Sequence, residues 1–441
     1  MTKSPGLSVC MIVRNESANI SDALACFTPF ADEIIVVDTG STDNTKEIAA
    51  RFTSLVYDFE WIDDFAAARN FAMSKASKSY HLWVDADDRF DSENQRRIES
   101  LKSGFDGKKA YYFILVNRQE DLAPTSCRQL RCFPIAEGIR FNRPIHEQAF
   151  ESVMEAGFEM EFPEIVINHL GYMTHEIRLA KAMRNLAIME RQRAEGSTDG
   201  GLYFFLALTY SPLGRQEEAM ECMAQALEYF EKESYNHHLI AEGYLFQAKL
   251  AFEMGDHDKC LRNLAVLGSL AGANPVYNYS MGILYQRMGR HREAVEAITK
   301  VCGKNYVPNL FPTQPLPNES ELFLHIAYSL YCMNEQKGAL ELINASKVGR
   351  ARSWEWLGTK AFSYQNLGLA HIAFEAALRL GELEPQSWGR LGAVYKLRGY
   401  TQKARECFAR AGMDDYLKTP APPTGDRKEG GEAINGRSQL L

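Results

Sequence analysis

Short apolar runs alternate with helical stretches over the first 170 residues of the chain. Residues 7–13 (LSVCMIV) and 33–37 (EIIVV) are unbroken or nearly unbroken apolar runs, which are typical of strands buried on both faces. Shorter runs predict two further strands at residues 55–58 and 80–84. Apolar residues at helical spacing separate these strands at residues 17–26, 42–52 and 65–76. This alternation predicts βαβ units and a parallel sheet with right-handed crossovers.

The same region continues with weaker signals. The pattern predicts later strands at residues 111–116 and 130–134, a loop at 139–148, and a final strand and turn at 165–172. We therefore expect one α/β, Rossmann-like domain that covers residues 1–172.

From about residue 174 the pattern becomes helical and repetitive. Short turns recur at Gly214, Gly255, Gly289, Asn334, Gly368 and Gly399. Seven positions earlier lie Ala207, Ala248, Gly282, Ala327, Ala361 and Gly392, and five positions later lie Ala219, Cys260, Ala294, Ala339, Ala373 and Ala404. Small residues at these positions allow two helices to cross closely. The spacing resembles the tetratricopeptide repeat, whose usual period is about 34 residues.

This resemblance predicts an all-α solenoid of five or six repeats over residues 173–413, interrupted by an insertion at 304–317. A generic helical bundle is the alternative for this half of the chain. Residues 414–441 are rich in proline, glycine and charge, and we expect them to form a disordered tail.

Composition narrows the class of protein. With 49 basic and 57 acidic residues, the net charge of −8 argues against a chain built to bind nucleic acid. Nine scattered cysteines without a CxxC pair indicate reduced thiols rather than a disulfide framework or a zinc site. The sequence has neither a secretory signal nor an apolar run of about 20 residues, so we expect a cytoplasmic protein without a transmembrane segment.

Polar clusters follow three of the predicted strands: Arg14-Asn15-Glu16, Asp38, and Asp85-Ala86-Asp87-Asp88. Ligands of such sheets bind at the carboxyl ends of the strands, so we expect these clusters to converge. Asp85 and Asp87 are two residues apart in extended backbone and can point the same way. Because neighbouring carboxylates repel each other, a divalent cation such as Mn²⁺ or Mg²⁺ is the expected guest.

The cluster after the second strand offers a second kind of contact. The Asp38 carboxylate could accept hydrogen bonds from a base or a ribose, while Gly40 lets the backbone approach a ligand closely. Ser41, Thr42 or Asp43 is as well explained as a helix cap. Glu16 would face the same crevice, with a solvated loop charge as its alternative.

Four motifs in order, LSVCMIVRNE, IIVVDTGSTDNT, AAARN and HLWVDADD, resemble family 2 glycosyltransferases of the GT-A fold. The resemblance implies a nucleotide-diphosphate sugar donor, with UDP-sugars foremost, a divalent metal and usually inversion at the anomeric carbon. It further implies that Glu16 and Asp38 hold the nucleoside, that Arg69 lies near the nucleotide or its phosphates, and that Asp85 and Asp87 serve ribose and metal. We include the adjoining Arg14, Asn15, Gly40 and Ser41 in the donor site.

Inversion needs a general base that takes a proton from the acceptor. Many family members place an acidic residue of a Glu-Asp segment there, whereas this chain has Arg143-Pro144-Ile145-His146-Glu147-Gln148. We predict Glu147 as the base, with His146 as the second candidate or a neighbour that tunes it; a loop salt bridge is the alternative. His169 is predicted as a further metal or diphosphate contact, with a satisfied core histidine as the alternative.

The leading hypothesis is therefore a metal-dependent, inverting glycosyltransferase. Its helical repeats would bind an acceptor, a protein partner or a second copy of the chain. The combination is similar to bacterial glycosyltransferase–repeat proteins, including some that glycosylate peptides or proteins, so the acceptor is a polypeptide or a cell-envelope glycan. The alternatives are a repeat-based adaptor that binds nucleotide sugar without turnover and a nucleotidyltransferase, although Arg14-Asn15-Glu16-Ser17 is not the Gly-rich phosphate loop that the latter usually has.

Overall fold

The computed structural model describes residues 4–118, 120, 123–171, 174–232, 237–272, 274–304 and 315–413. The first part of the chain is a mixed α/β region, and the part after residue 174 is helical. The α/β elements are β1 (Ser4–Val13), α1 (Ile20–Phe27), β2 (Glu33–Asp38), α2 (Thr45–Ala49), β3 (Val56–Asp58), α3 (Phe65–Lys75), β4 (Lys78–Val84), β5 (Asp88–Arg89), α4 (Ser92–Lys102), β6 (Lys109–Asn117), β7 (Thr125–Pro134), α5 (Phe150–Glu155), β8 (Glu159–Glu161) and β9 (Val166–His169).

The helical elements follow after residue 174. They are α6 (His175–Ala194), α7 (Gly200–Tyr210), a 3₁₀ turn (Ser211–Leu213), α8 (Gln216–Lys232), α9 (His237–Glu253), α10 (His257–Ala271), α11 (Pro275–Arg287), α12 (His291–Thr299), α13 (Glu319–Cys332), α14 (Gln336–Ala345), α15 (Arg350–Ser363), α16 (Leu367–Leu380), α17 (Pro385–Leu397) and α18 (Thr401–Arg410).

The strands form one sheet with the order β3-β2-β1-β4-β7-β6-β9-β5, and β8 pairs with β6. β1 to β4 are mutually parallel where they pair, as the sequence predicts. Beyond β4 the sheet is mixed, because β7 runs antiparallel to both β4 and β6. The connection from β6 to β7 is too short for a crossover helix, so these two strands have to be antiparallel neighbours.

Both faces of the sheet are buried. Along β1, Leu7, Val9, Met11 and Val13 pack into one apolar cluster, whereas Cys10 belongs to a cluster on the other face. The first face contacts α1 and α4, and the second contacts α3, whose alanines lie flat against the strands. Burial on both faces explains why the sequence of β1 is an unbroken apolar run rather than an alternating one.

Helix α2 is shorter than the predicted span of residues 42–52. Its first turn is replaced by hydrogen bonds from backbone amides to side chains: Asp38 Oδ1 accepts from the amides of Gly40 and Ser41, at 2.9 and 2.8 Å. Asn15 Oδ1 accepts from the amide of Thr42 at 2.8 Å. Because these side chains take the amide donors, residues 39–44 form a turn at the end of β2.

The described residues group into two compact units, one within Met1–Leu284 and Gly303–Leu316, the other within Tyr285–Cys302 and Pro317–Leu441. The first unit contains the sheet and helices α1 to α10, and the second contains α12 to α18. The predicted domain boundary at residue 172, most of the predicted insertion at 304–317 and the predicted tail at 414–441 lie outside the described residues.

Within the described ranges, five sequential helix pairs pack together, each inside one unit: α7–α8, α9–α10, α13–α14, α15–α16 and α17–α18. Five of the six predicted turn residues have a left-handed backbone: Gly214, Gly255, Gly289, Asn334 and Gly399. The fifth turn was predicted wrongly at Gly368, which lies inside α16. The turn residue there is Gln365, with φ of 61°.

The shifted turn restores the packing pattern of the repeats. Gly358 lies seven positions before Gln365, and a Cβ atom there would come 2.8 Å from the Phe374 ring of the partner helix. Gly392 lies seven positions before Gly399, and a Cβ atom there would come 3.0 Å from the Phe408 ring. The two helix pairs therefore use the same glycine-to-phenylalanine contact in the same register.

No helix among the described residues has the length and apolar character that crossing a bilayer requires. The nine cysteines all lie within the described ranges and form no disulfide there, and six of them are buried.

A pair of glycine substitutions tests the shifted register. We expect Gly358→Ala to destabilise the second unit by about 1–3 kcal/mol, because the added methyl group overlaps the Phe374 ring. Gly368→Ala is the matched control: its Cβ would meet only Asn366 Oδ1 at 3.8 Å, so helix propensity predicts a gain of up to about 1 kcal/mol. Chemical denaturation measures both, and equal effects of the two changes would contradict the register.

Candidate active site

The parallel register brings the ends of three strands together. Val13 at the end of β1 is paired with Asp38 at the end of β2, and Met11 of β1 is paired with Val84 at the end of β4. The polar residues that follow Val13 and Val84 therefore leave the sheet at the same edge as Asp38. This convergence is the one that the sequence predicts.

Asp88 is the buried anchor of the acidic segment after β4. Its side chain is fully buried, and its Oδ2 accepts hydrogen bonds from Arg131 Nη1 at 2.9 Å and from the Asp85 amide at 3.0 Å. Its Oδ1 lies 2.8 Å from His169 Nδ1. These contacts fix the backbone turn that carries Asp85 and Asp87, so Asp88 holds the segment in place.

Arg69 joins two of the predicted site carboxylates. From α3, its Nη2 donates to Asp85 Oδ1 at 2.8 Å and its Nε donates to Glu147 Oε1 at 2.6 Å. The small side chains Ala66, Ala68 and Ala72 let α3 lie close to the sheet, so the guanidinium reaches both carboxylates. Although burial opposes ionisation of Asp85, Arg69, Arg131 and His169 hold the pKa of that carboxyl well below its usual range.

The two arginines share one aromatic platform. The guanidinium carbons of Arg69 and Arg131 lie 4.2 and 3.7 Å from the centre of the Trp83 ring. Trp83 itself is fixed by a hydrogen bond from its indole to the Leu130 carbonyl at 2.8 Å. The ring therefore holds both cations beside the carboxylates that they neutralise.

The donor set of Asp85, Asp87, Asp88 and His169 fits a cation. One ligand atom from each of the four lies within 4.8 Å of the others. Among the described residues, Asp87 Oδ1 is buried and accepts no hydrogen bond; it lies 3.4 Å from His169 Nδ1. A Cβ on Gly171 would come within 2.5 Å of His169 Nε2, and closer still to Asp87 Oδ2, so the glycine keeps this space open. Carboxylate oxygens suit Mg²⁺ and Mn²⁺, and an imidazole ring is compatible with a transition metal.

Beside these four possible cation ligands, the turns after β1 and β2 are joined by hydrogen bonds. The Asn15 amide donates to Ser41 Oγ at 2.9 Å, which complements the contact from Thr42 to Asn15 Oδ1. Asn15 and Gly40 both have positive φ, at 56° and 101°. Asp38 Oδ2 is buried and, within the described residues, accepts no hydrogen bond.

A cavity of about 290 Å³ opens at this edge of the sheet. Eight of the predicted site residues line it: Arg14, Glu16, Arg69, Asp85, Asp87, His146, Glu147 and His169. The other four, Asn15, Asp38, Gly40 and Ser41, are not part of the cavity wall and lie on the turns beside it. Thr39, next to Asp38, is the residue of the second turn that reaches the cavity.

The acidic groups of the cavity influence each other. The pKa of Glu16 is raised, first by burial and then by repulsion from Asp87 and Asp85, against an opposing hydrogen bond from Asn19. Glu16 is half-buried and lines the same cavity as Asp85 and Asp87.

The loop that carries Glu147 is held by the first helix of the repeats. The His146 ring stacks on Phe205 of α7 with 3.8 Å between ring centres and 11° between the planes. Arg143 bridges Glu151 at 2.7 Å and Asp199, the N-cap of α7, at 2.8 Å. Both Arg143 and His146 have positive φ, at 74° and 55°, a strained conformation that such contacts can hold in place.

Several residues of the site escaped the sequence analysis. Helix α6 contributes Lys181, Arg184 and Asn185 to the cavity wall. Lys181 Nζ donates to Asp87 Oδ2 at 3.2 Å. Nothing in the helical pattern distinguishes these residues from an exposed helix face. Arg131 is fully buried and paired with Asp88, and the signal for this in the sequence is its place within a predicted buried strand.

Comparison with known proteins agrees with this geometry. Residues 8–148 match the model of Glycosyl transferase family 2, and residues 201–233 match that of the tetratricopeptide repeat. The chain carries a family 2 glycosyltransferase domain followed by tetratricopeptide repeats. The predicted fold class, an α/β domain of the GT-A kind followed by an all-α repeat region, is thereby confirmed.

Among the relatives is a TPR repeat-containing protein of Synechococcus elongatus, 34% identical over 173 residues that cover 38% of this chain and 42% of that protein. The SPbeta prophage-derived glycosyltransferase SunS of Bacillus subtilis is 26% identical over 244 residues, covering 54% and 57%. The chain thus spans about half the length of these curated relatives. A solved structure of S. aureus TarS residues 1–349 is 14% identical, with a TM-score of 0.34, and covers 58% of this chain and 89% of that one.

We expect Asp88→Asn to destabilise the glycosyltransferase domain by about 3–5 kcal/mol, because it leaves the buried guanidinium of Arg131 without a counter-charge. Asp87→Asn is the matched control. It changes a carboxylate of the same segment at the cavity wall, and we expect its effect to stay within about 1 kcal/mol. Chemical denaturation compares the two, and a fully stable Asp88→Asn variant would contradict the anchoring role.

The lowered pKa of His146 predicts that the stability of the folded protein depends on pH. Burial lowers the pKa of His146 to about 4 from the ordinary 6.5, and Arg143 and Arg184 add to this effect. Between these values the unfolded chain binds a proton that the folded chain does not, so stability falls as the pH drops from 6.5 to 4. Asn tolerates positive φ, so we expect His146→Asn to flatten this slope by up to about 1 kcal/mol per pH unit. Parallel denaturation series at several pH values test this, and identical slopes would count against it.

Proposed function

We propose that the protein is a metal-dependent, inverting glycosyltransferase that moves a sugar from a nucleotide-diphosphate donor to an acceptor. The observation that carries this proposal is the cavity at the strand ends, where Asp85, Asp87 and His169 form a cation-sized donor set and Glu147 lines the same wall. The family 2 domain over residues 8–148 supports the class of reaction.

Asp87 and His169 would hold the divalent ion, with Asp85 beside them. An ion bound there would stabilise the negative charge that develops on the leaving diphosphate. The buried Asp87 Oδ1, which accepts no hydrogen bond from any described residue, supports this assignment because a buried carboxylate oxygen without a partner is costly.

Glu16 and Asp38 would bind the nucleoside end of the donor. The buried Asp38 Oδ2 can accept a hydrogen bond from a base or a ribose, and the turn at Gly40 lets a ligand approach the backbone. Arg14, Asn15 and Ser41 lie on the same two turns. These turns and the metal group lie on adjacent strand ends, which suits a donor that spans both.

Glu147 is the base in this proposal. An acceptor hydroxyl oxygen attacks the anomeric carbon, the bond from that carbon to the diphosphate oxygen breaks, and the hydroxyl proton passes to Glu147. Arg69 orients Glu147 through the contact at 2.6 Å. His146 is less suited to this role, because its ring is stacked on Phe205. We assign it to positioning the loop.

The acceptor in this proposal is a polypeptide or a cell-envelope glycan, and the helical repeats are the surface that binds it, a protein partner or a second copy of the chain. Stacked repeats generally provide such surfaces. A cytoplasmic location, where nucleotide sugars are made and thiols stay reduced, agrees with nine free cysteines.

Incubation with a panel of labelled nucleotide sugars and Mn²⁺ or Mg²⁺ tests the proposal. We expect nucleoside diphosphate release in the native protein and a loss of at least about 100-fold in Asp87→Asn. Glu147→Gln should lose turnover to a similar degree while keeping nucleotide affinity, because it removes a proton acceptor and not a donor ligand. Glu137→Gln, which changes an exposed glutamate of a nearby loop, is the control and should retain full activity.

The same assay separates the enzyme from a repeat-based adaptor. An adaptor would bind a nucleotide sugar with no turnover in native protein and Glu147→Gln alike. Turnover that persists in Asp87→Asn, or that needs no added metal after treatment with a chelator, would contradict the metal site.

A further inference from the structure

The cavity has a basic wall that the family 2 domain itself does not supply. Lys181, Arg184 and Asn185 all come from α6, which begins at residue 175, beyond the matched segment of residues 8–148. Their spacing of three and four residues places them on one face of the helix. The helix between the family 2 segment and the first matched repeat therefore forms one wall of the cavity.

Lys181 is the residue of α6 that contacts the acidic group directly. Its Nζ is 3.2 Å from Asp87 Oδ2, and its side chain keeps 29% of its solvent exposure. A Cβ on Gly171 would come 2.5 Å from this Nζ, so the glycine provides room for the ammonium as well as for His169. The ammonium thus borders the position that a cation held by Asp87 would occupy.

The other carboxylates of the group are already neutralised from elsewhere. Arg131 pairs with Asp88, and Arg69 pairs with Asp85. Asp87 has Lys181 as its cation, from α6. Unlike the two arginines, Lys181 has a flexible four-carbon stem and a partly exposed head, so it can change partners.

We propose that Lys181 is a donor-diphosphate ligand that competes with the divalent cation for Asp87 until the donor binds. This inference rests on the proposed function. In the nucleotide-free protein the ammonium and a divalent ion repel each other at the Asp87 carboxylate. A bound diphosphate offers the ammonium a second anionic partner, beside Arg184 on the same face of α6.

Lys181 therefore couples metal binding to nucleotide binding. When the diphosphate draws Lys181 away from Asp87, the carboxylate becomes free for the ion, so each ligand raises the affinity for the other. Linkage requires the two increases to be equal. The coupling keeps the metal site weak in the absence of a donor.

Equilibrium titrations with Lys181→Met test this inference. Removing the ammonium should make Mn²⁺ bind about tenfold more tightly without nucleotide, because a repulsive charge beside Asp87 is lost. The same change should weaken the binding of a nucleoside diphosphate at saturating Mn²⁺ by about tenfold, because a charged hydrogen bond is lost. The probes are Mn²⁺ alone and whichever of UDP, GDP, ADP, CDP and dTDP binds the native protein most tightly.

Two further variants serve as controls. Arg191→Met removes one positive charge from the same helix at a pair with Asp63 on the surface, and both affinities should stay native. Lys181→Arg keeps the charge and should keep most of the nucleotide affinity. If Lys181→Met folds poorly by thermal denaturation, Lys181→Gln carries the same two expectations.

The inference requires that Lys181→Met strengthens Mn²⁺ binding and weakens nucleotide binding. Unchanged affinities in the neutral variants make Lys181 a structural counter-ion and overturn the inference. Weaker binding of both Mn²⁺ and nucleotide also overturns it, because no competition then exists. If none of the five nucleotides binds the native protein, the proposed function itself fails, and the inference fails with it. If a nucleotide binds and its affinity does not change when Lys181 is replaced, the inference fails but the proposed function stands.

Discussion

The candidate site depends on charge compensation around a buried tryptophan. Several carboxylates end at one edge of the sheet, and three of them, Asp85, Asp87 and Asp88, each face a cation from another element. Arg131 of β7 neutralises Asp88, and Arg69 of α3 neutralises Asp85, both against the Trp83 ring. Without these pairs the carboxylates would repel each other, and burial would force them to take up protons. The fold thus stabilises the acidic edge because β7 and α3 place Arg131 and Arg69 next to its carboxylates.

This compensation reaches beyond the sheet. Lys181 of α6 faces Asp87, and α7 holds the loop of the candidate base through Phe205 and Asp199. The first helices after the sheet therefore belong to the site in a physical sense: they supply one of its cations and fix one of its loops. Helix α6 is therefore a wall of the cavity, and α7, the first helix of the repeats, holds its loop.

The sequence predicts the parts of this arrangement that follow from local pattern. The strands at residues 7–13 and 80–84 can be predicted because a buried strand is a short apolar run in the sequence. The polar residues at the ends of these strands can be read from the same segments. Lys181 and Asp199 could not be found in this way, because their role arises from the approach of distant elements. The turn near Gly368 was misassigned for a different reason. The turn residue is Gln365, a non-glycine residue with positive φ, whereas the turns of the other repeats mostly have glycine.

Two carboxylate oxygens at this edge differ from the others in their hydrogen bonding. Asp38 Oδ2 and Asp87 Oδ1 are buried and, among the described residues, accept no hydrogen bond, whereas both oxygens of Asp88 are engaged. A buried oxygen without a hydrogen bond costs stability, and a ligand that donates to it would offset that cost. Asp38 ends β2 and Asp87 follows β4, with β1 between them. A ligand that satisfies both oxygens must span three strand ends, as an extended nucleotide sugar with its cation would do.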